Sequence, residues 1–113
     1  MDKPRITIEE FSKIEVKIGT VRSAERVLET DKLLRLAVDF NEETGPRQIV
    51  SGIAAYVPDP STLVGRQLAF VTNLEPRTIR GLESNGMLFA VGEGETFAFL
   101  TSDRDVSPGT SAH

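Results

Sequence analysis

The sequence lacks several residue types on which common enzyme chemistry depends. None of its 113 residues is cysteine, which excludes disulfides, thiolate nucleophiles and zinc–sulfur sites. The one histidine is His113, the last residue, so a Ser-His pair or a histidine-based metal site is not expected. No P-loop and no Rossmann glycine pattern stands at a strand-to-helix turn. We therefore expect no enzyme activity, no catalytic residue, no metal and no cofactor.

Long apolar runs are also absent. The longest span five or six residues, as in 87–91, whereas a membrane-spanning helix needs about 20. The polar residues at the N-terminus are followed by no apolar segment of the kind that marks a secretory signal. We therefore expect a cytoplasmic location, no membrane partner and, from the chain length, a single domain over 1–113.

An excess of positive charge is missing as well. The chain has 13 lysines and arginines against 17 acidic residues, giving a formal net charge of -4. This argues mildly against nucleic acid, because phosphate-binding surfaces are usually basic. The charge is uneven, however: residues 46–80 contain four arginines and two acids, whereas residues 81–113 contain one arginine and five acids. A modest local basic surface is therefore compatible with the acidic total.

The N-terminal third combines a short helix with a long strand. Thr7 followed by Glu10 is a capping-box pattern, and Ile8, Phe11 and Ile14 recur at helical spacing. From Glu15 the apolar period changes to two, and its phase shifts after Gly19-Thr20. A glycine at a phase shift predicts a β-bulge at that point. The strand is expected to end in a loop over 24–30.

Short strands dominate the rest of the chain. Alternating apolar residues predict a second strand over 33–40, and further strands are expected over 47–51, 67–72, 86–91 and 96–100. Helical turns are expected at 53–56 and 61–64, between the third and fourth strands, as in an OB fold. The strands at 67–72, 87–91 and 97–100 are apolar on both faces. One face would fill a barrel, and a second subunit is a candidate to cover the other.

The connection 73–87 combines polar and basic residues, and a long connection is more often functional than a short one. Its arginines suit phosphates, and its amide and hydroxyl side chains suit base edges or ribose hydroxyls. Its candidate contacts are Asn73, Arg77, Arg80, Ser84, Asn85 and Met87. Lys32 stands in another loop, from which it could reach a phosphate. On residue spacing alone, an ordinary solvated loop remains the favoured interpretation of 73–87.

Six blocks resemble one known family in order and spacing. They are Phe11–Gly19 (FSKIEVKIG), Asp31–Leu34 (DKLL), Arg47–Ala54 (RQIVSGIA), Leu63–Gly65 (LVG), Asn73–Pro76 (NLEP) and Ser84–Met87 (SNGM). The family is the tRNA-binding domain appended to many bacterial methionyl-tRNA synthetases. It is similar to stand-alone tRNA-binding proteins and to endothelial monocyte-activating polypeptide II. The similarity runs from about Ile6 to Gly109, the expected domain core.

This resemblance implies an all-β protein, an OB-fold five-stranded barrel with a short N-terminal helix and extra C-terminal strands. It implies a homodimer and non-catalytic, structure-dependent tRNA binding that assists a methionyl-tRNA synthetase in cis or in trans. The tRNA contacts carried over by position are Lys32, Arg47, Asn73, Arg77, Arg80, Ser84 and Met87. Thr78 stands where a lysine is frequent and Phe89 where a leucine is frequent, which bears on affinity.

Two alternatives remain. The resemblance to CsaA-type dimeric secretion chaperones is weaker, because those proteins depart from the patterns at 47–53 and 84–87, and it implies peptide binding. The acidic net charge also fits a dimerisation module whose tRNA surface has decayed.

Overall fold

The computed structural model describes residues 2–113, which form one short helix and ten short strands. The elements are α1 (Ile8–Phe11), β1 (Val16–Arg26), β2 (Leu34–Asp39), β3 (Arg47–Ser51), β4 (Gln67–Val71), β5 (Arg77–Ile79), β6 (Leu82–Ser84), β7 (Met87–Leu88), β8 (Ala90–Val91), β9 (Ala98–Phe99) and β10 (Ser111–Ala112). Three 3₁₀ turns lie at Ala54–Tyr56, Pro60–Leu63 and Gly94–Thr96. No helix of residues 2–113 is long and apolar enough to cross a membrane.

The main sheet curls into a nearly closed antiparallel barrel. Its strand order is β3-β2-β1-β4-β7, with β10 paired to the start of β1. Beside β3, the segment that precedes β7 narrows the remaining gap, and its Asn85 amide donates to the Gln48 carbonyl at 2.8 Å. This arrangement confirms the predicted five-stranded OB-type barrel. The pairs β8–β9 and β10–β1 confirm the extra C-terminal strands.

Alternation along β2 builds the core. Leu34, Leu36 and Val38 are fully buried, as the sequence pattern predicts. Phe40 meets Phe70 of β4 edge to face, with ring centroids 5.5 Å apart. Each such side chain contributes about 1.5–3 kcal/mol when it is removed from water.

The predicted helix start is confirmed. Thr7 Oγ1 accepts a hydrogen bond from the Glu10 amide at 3.1 Å, and Glu10 Oε1 accepts one from the Thr7 amide at 3.3 Å. The apolar stripe of this helix is nevertheless not buried, and Ile8 remains 70% exposed. With Phe11 and Ile14 it lines an apolar cleft of about 500 Å³ beside the C-terminal strand.

The predictions of a bulge at Gly19-Thr20 and of a loop from Ala24 are wrong. Gly19 pairs regularly with Leu68, and the irregular register lies between Val21 and Ser23. β1 then continues as far as Arg26. Gly19 has a packing reason instead, because a Cβ atom there would collide with core side chains of β2 and the residue after it.

The segment 73–85, predicted to be irregular, contains a regular hairpin. Arg77 pairs with Ser84, Thr78 with Glu83 and Ile79 with Leu82. The two tip residues, Arg80 and Gly81, have φ of 52° and 79°, as in the two-residue turns that match the twist of paired strands. The sequence pattern concealed the hairpin because arginine is uncommon in the left-handed region.

The predicted fifth strand, 86–91, is interrupted at Phe89. Met87–Leu88 pairs with β4, whereas Ala90–Val91 turns away to pair with β9. The polypeptide therefore changes strand partner at this point and forms a C-terminal hairpin, whose Phe97 and Phe99 side chains pack against the barrel core.

Candidate nucleic-acid interface

The tip of the β5–β6 hairpin and the loop between β1 and β2 lie side by side. Arg80 and Lys32 are both exposed and line the same cleft of about 360 Å³. Among the ion pairs of residues 2–113, none involves Lys32, Arg77 or Arg80. These three cationic groups are therefore free to meet an external anion.

Arg47 is placed differently, because its guanidinium is already occupied. Nε and Nη2 donate to the two Glu42 carboxylate oxygens at 2.8 Å each, and Nη1 donates to the Thr72 carbonyl at 2.7 Å. The hydrogen bond from Arg47 holds the pKa of Glu42 below its usual value, and the same bond raises the pKa of Arg47. Arg47 also lies over the Phe40 ring at 5.3 Å. It ties the turn before β3 to the end of β4.

Asn73 and Ser84 also make contacts within the fold. Asn73 Oδ1 accepts from the Glu15 amide at 2.9 Å, and its Nδ2 donates to the Lys13 carbonyl at 2.6 Å. These bonds attach the chain after α1 to the end of β4.

Ser84 is buried, and its hydroxyl helps to close the barrel. Its Oγ accepts from the Val50 amide at 3.0 Å and lies 3.2 Å from the Gly86 carbonyl. The hydroxyl thus satisfies a buried backbone donor of β3 where no regular strand pairing does so.

Met87 lies on β7, the last strand in the order of the main sheet, whereas Arg77 and Arg80 belong to the β5–β6 hairpin. It pairs with Val71, which in turn pairs with Val16 of β1. Its side chain is 43% exposed. The structure thus brings Lys32 and Arg80 together, sets Arg77 at the base of the same hairpin, and leaves Met87 exposed on β7.

The sequence did not indicate a functional role for three residues that line a cleft with Arg80: Arg26, Leu28 and Arg35. Leu28 is 89% exposed in the loop after β1, and Arg26 and Arg35 line a cleft with it. The outward phase of Arg35 in β2 was visible in the alternation of the strand. The position of Leu28 was not, because no local pattern shows which loop residues face a distant hairpin.

The match to a family model covers most of the chain. The model described as "Putative tRNA binding domain" matches residues 16–111. The methionine–tRNA ligase of Methanoregula boonei is 50% identical over 107 residues, which is 95% of this chain and 15% of the ligase. That of Thermotoga maritima is 45% identical over 104 residues, which is 92% of this chain and 16% of the ligase. The chain thus spans about a sixth of the length of these relatives.

Solved structures share the fold over their whole length. A MetRS-related protein from Pyrococcus horikoshii superimposes with a TM-score of 0.87 and 35% identity, covering 98% of this chain and 100% of that one. The chaperone CsaA of Bacillus anthracis gives a TM-score of 0.82 and 27% identity, covering 97% and 100%. On the family match and this full-length similarity, the chain belongs to the tRNA-binding domain family.

Proposed function

We propose that this chain is a non-catalytic tRNA-binding module that acts in the cytoplasm and assists a methionyl-tRNA synthetase, in cis or in trans. The observation that carries the proposal is the group of three exposed cations, Lys32, Arg77 and Arg80, on and beside one hairpin. Arginine and lysine neutralise phosphates and release counterions, which supplies most of the affinity for an RNA backbone. The kinship with methionine–tRNA ligases supports the synthetase link.

The seven predicted contact residues divide into two roles in this proposal. Lys32, Arg77, Arg80 and Met87 are exposed and contact tRNA directly. Arg47, Asn73 and Ser84 act through the fold, because their polar atoms are bonded within the chain. Substituting one of the second group is therefore expected to lower stability and binding together, whereas substituting one of the first is expected to weaken binding without a loss of stability.

A charge-matched pair of variants tests the proposal. Arg80→Ala removes a free cation from the hairpin tip, and Arg104→Ala removes a cation from the acidic C-terminal region, where the side chain is 80% exposed and pairs with Asp103. Arg80→Ala is expected to weaken tRNA binding by roughly three- to tenfold and Arg104→Ala to leave it near the wild-type value. Equal losses from the two variants would contradict a localised site.

A homodimer forms the second part of the proposal. The cleft between α1 and β10 is lined by the exposed Ile8, Phe11 and Ile14 and by the partly buried Val16, and exposed apolar residues that cluster in this way are typical of an interaction site. A second copy that covers this surface would double the number of cations on one particle. That arrangement offsets the small number of free cations on each protomer.

Peptide binding is the second candidate function, and the same apolar cleft favours it. The cleft lies between α1 and β10, so a peptide in it would lie beside a strand. The fold is shared with the chaperone CsaA. An apolar peptide would add to this surface with little dependence on salt. Suppression of aggregation of an unrelated protein, unaffected by added tRNA, would favour this candidate over tRNA binding.

A further inference from the structure

Arg80 separates two neighbouring clefts. The larger, about 390 Å³, is lined by Arg26, Val27, Leu28, Arg35 and Leu82, together with Glu25. The smaller, about 360 Å³, is lined by Thr30, Asp31, Lys32, Leu33 and Ile79. Arg80 belongs to both linings. Each volume lies within the range of sites that hold small ligands.

The hairpin turn requires the backbone conformation of position 80, but it does not require an arginine there. Arg80 has a φ of 52°, in the left-handed region, and this turn position favours asparagine, aspartate or glycine. Within residues 2–113 its guanidinium makes no ion pair, so no such contact offsets the backbone cost. Backbone strain of this kind is concentrated at functional sites.

Leu28 is the second unexplained feature of this surface. Its side chain is 89% exposed, although it is large and apolar. It stands in the loop after β1 and lines the larger cleft with Arg35, whose guanidinium pairs with the carboxylate of Glu25. Nucleic-acid-binding proteins insert exposed apolar side chains such as leucine between neighbouring bases, next to cationic side chains that contact the backbone.

We propose that the two clefts bind one unpaired dinucleotide step of RNA. The phosphate that joins the two nucleotides lies on Arg80, one base enters each cleft, and Leu28 packs against the base in the larger cleft. In the protein, a cation lies between two clefts. In a dinucleotide, a phosphate lies between two bases, so the two arrangements have the same order. The step must be unpaired because a base inside a duplex is stacked on both faces and cannot enter a cleft. This inference rests on the proposed function and adds to it the RNA element that is recognised.

The first test removes the apolar contact without changing charge. Leu28→Ser is expected to weaken tRNA binding about fivefold or more, because the apolar surface that Leu28 would bury against a base is lost, and to leave the salt dependence of binding unchanged. Val64→Ser is the matched control, because Val64 is half exposed and lines neither cleft. Wild-type affinity in Leu28→Ser, or an equal loss in both variants, would overturn the inference.

The second test uses a minimal ligand. Millimolar ribodinucleoside monophosphate is added to the wild-type protein, and backbone amide shifts are followed by NMR. Saturable shifts confined to 26–35 and 79–82 are expected. If tRNA binds but these amides do not move, the dinucleotide site is refuted while the proposed function stands. If tRNA itself does not bind, the proposed function fails.

Discussion

At the scale of single residues, two arginines of the basic region 46–80 have different roles, although the sequence does not distinguish them. Arg47 directs three nitrogens at Glu42 and at the Thr72 carbonyl, and its charge is compensated inside the fold. Arg80 has no compensating carboxylate among the ion pairs of the described chain and sits on an unfavourable backbone conformation. A buried or paired cation fixes structure, whereas a free one is available for a ligand.

Arg80→Asn tests this contrast. Asparagine followed by Gly81 is the preferred pair for such a hairpin turn, so we expect the free energy of unfolding to rise by about 0.5–1 kcal/mol. The lost cation should at the same time weaken tRNA binding several-fold. Urea unfolding and tRNA titration of the same preparation measure the two effects. A variant that loses both stability and affinity would contradict a functional reason for the strain.

Individual site residues were only partly predictable from the sequence. The residue types of Arg77, Arg80 and Lys32 show their charge, and the family resemblance shows their order. Whether the polar atoms of Asn73 and Ser84 are bonded within the fold depends on partners 34 to 60 positions away in the chain. A pattern of neighbouring residues cannot indicate partners so far apart in sequence, so the role of Asn73 and Ser84 inside the fold is seen only in the structure.

At the scale of elements, β1 organises the barrel because it pairs with β2, β4 and β10 in turn. Alternating apolar residues predicted β2 closely, since one face of that strand is fully buried. The hairpin β5–β6 and the break at Phe89 were not predicted. The hairpin strands have three residues each and bury little surface, so they leave a weak periodic signal.

Gly19→Ala tests the packing role of β1. An added Cβ would meet Val38 Cγ1 and the Phe40 ring inside the barrel, and overpacking of this kind costs about 1–3 kcal/mol. Gly52→Ala is the matched control, because a Cβ there meets nothing within 4 Å. Urea unfolding compares the two. Equal stability of the two variants would show that β1 moves outward without cost and that Gly19 has no packing role.

At the scale of the whole molecule, an acidic net charge has to be compatible with the binding of a polyanion. The net charge of -4 opposes a general attraction to RNA, so the proposed tRNA binding requires a local cationic surface, and the proposed dimer would present that surface twice. The composition gives the acidic net charge and the basic region 46–80. It does not show that Lys32 and Arg80 lie beside one another. The apolar cleft beside α1 offers the surface through which two copies could combine their cations.

Phe11→Glu tests the dimer. Phe11 is 51% exposed, so the substitution leaves the core of the protomer intact but places a carboxylate in the apolar cleft. Light scattering after gel filtration is expected to show a dimer for the wild-type protein and a monomer for this variant. Val64→Glu, an equally exposed apolar position outside that cleft, should remain dimeric. A monomeric wild-type protein would contradict the proposed assembly.

The salt dependence of wild-type tRNA binding tests the central claim most directly. If Lys32, Arg77 and Arg80 of each of two protomers contact phosphates, the expected slope of log affinity against log salt is roughly -4 to -5. The titration requires only tRNA, the protein and several salt concentrations. A slope in that range, reduced when Arg80 is replaced by alanine, is the result expected. A slope near zero, or no binding at low salt, would contradict electrostatic tRNA recognition by this surface.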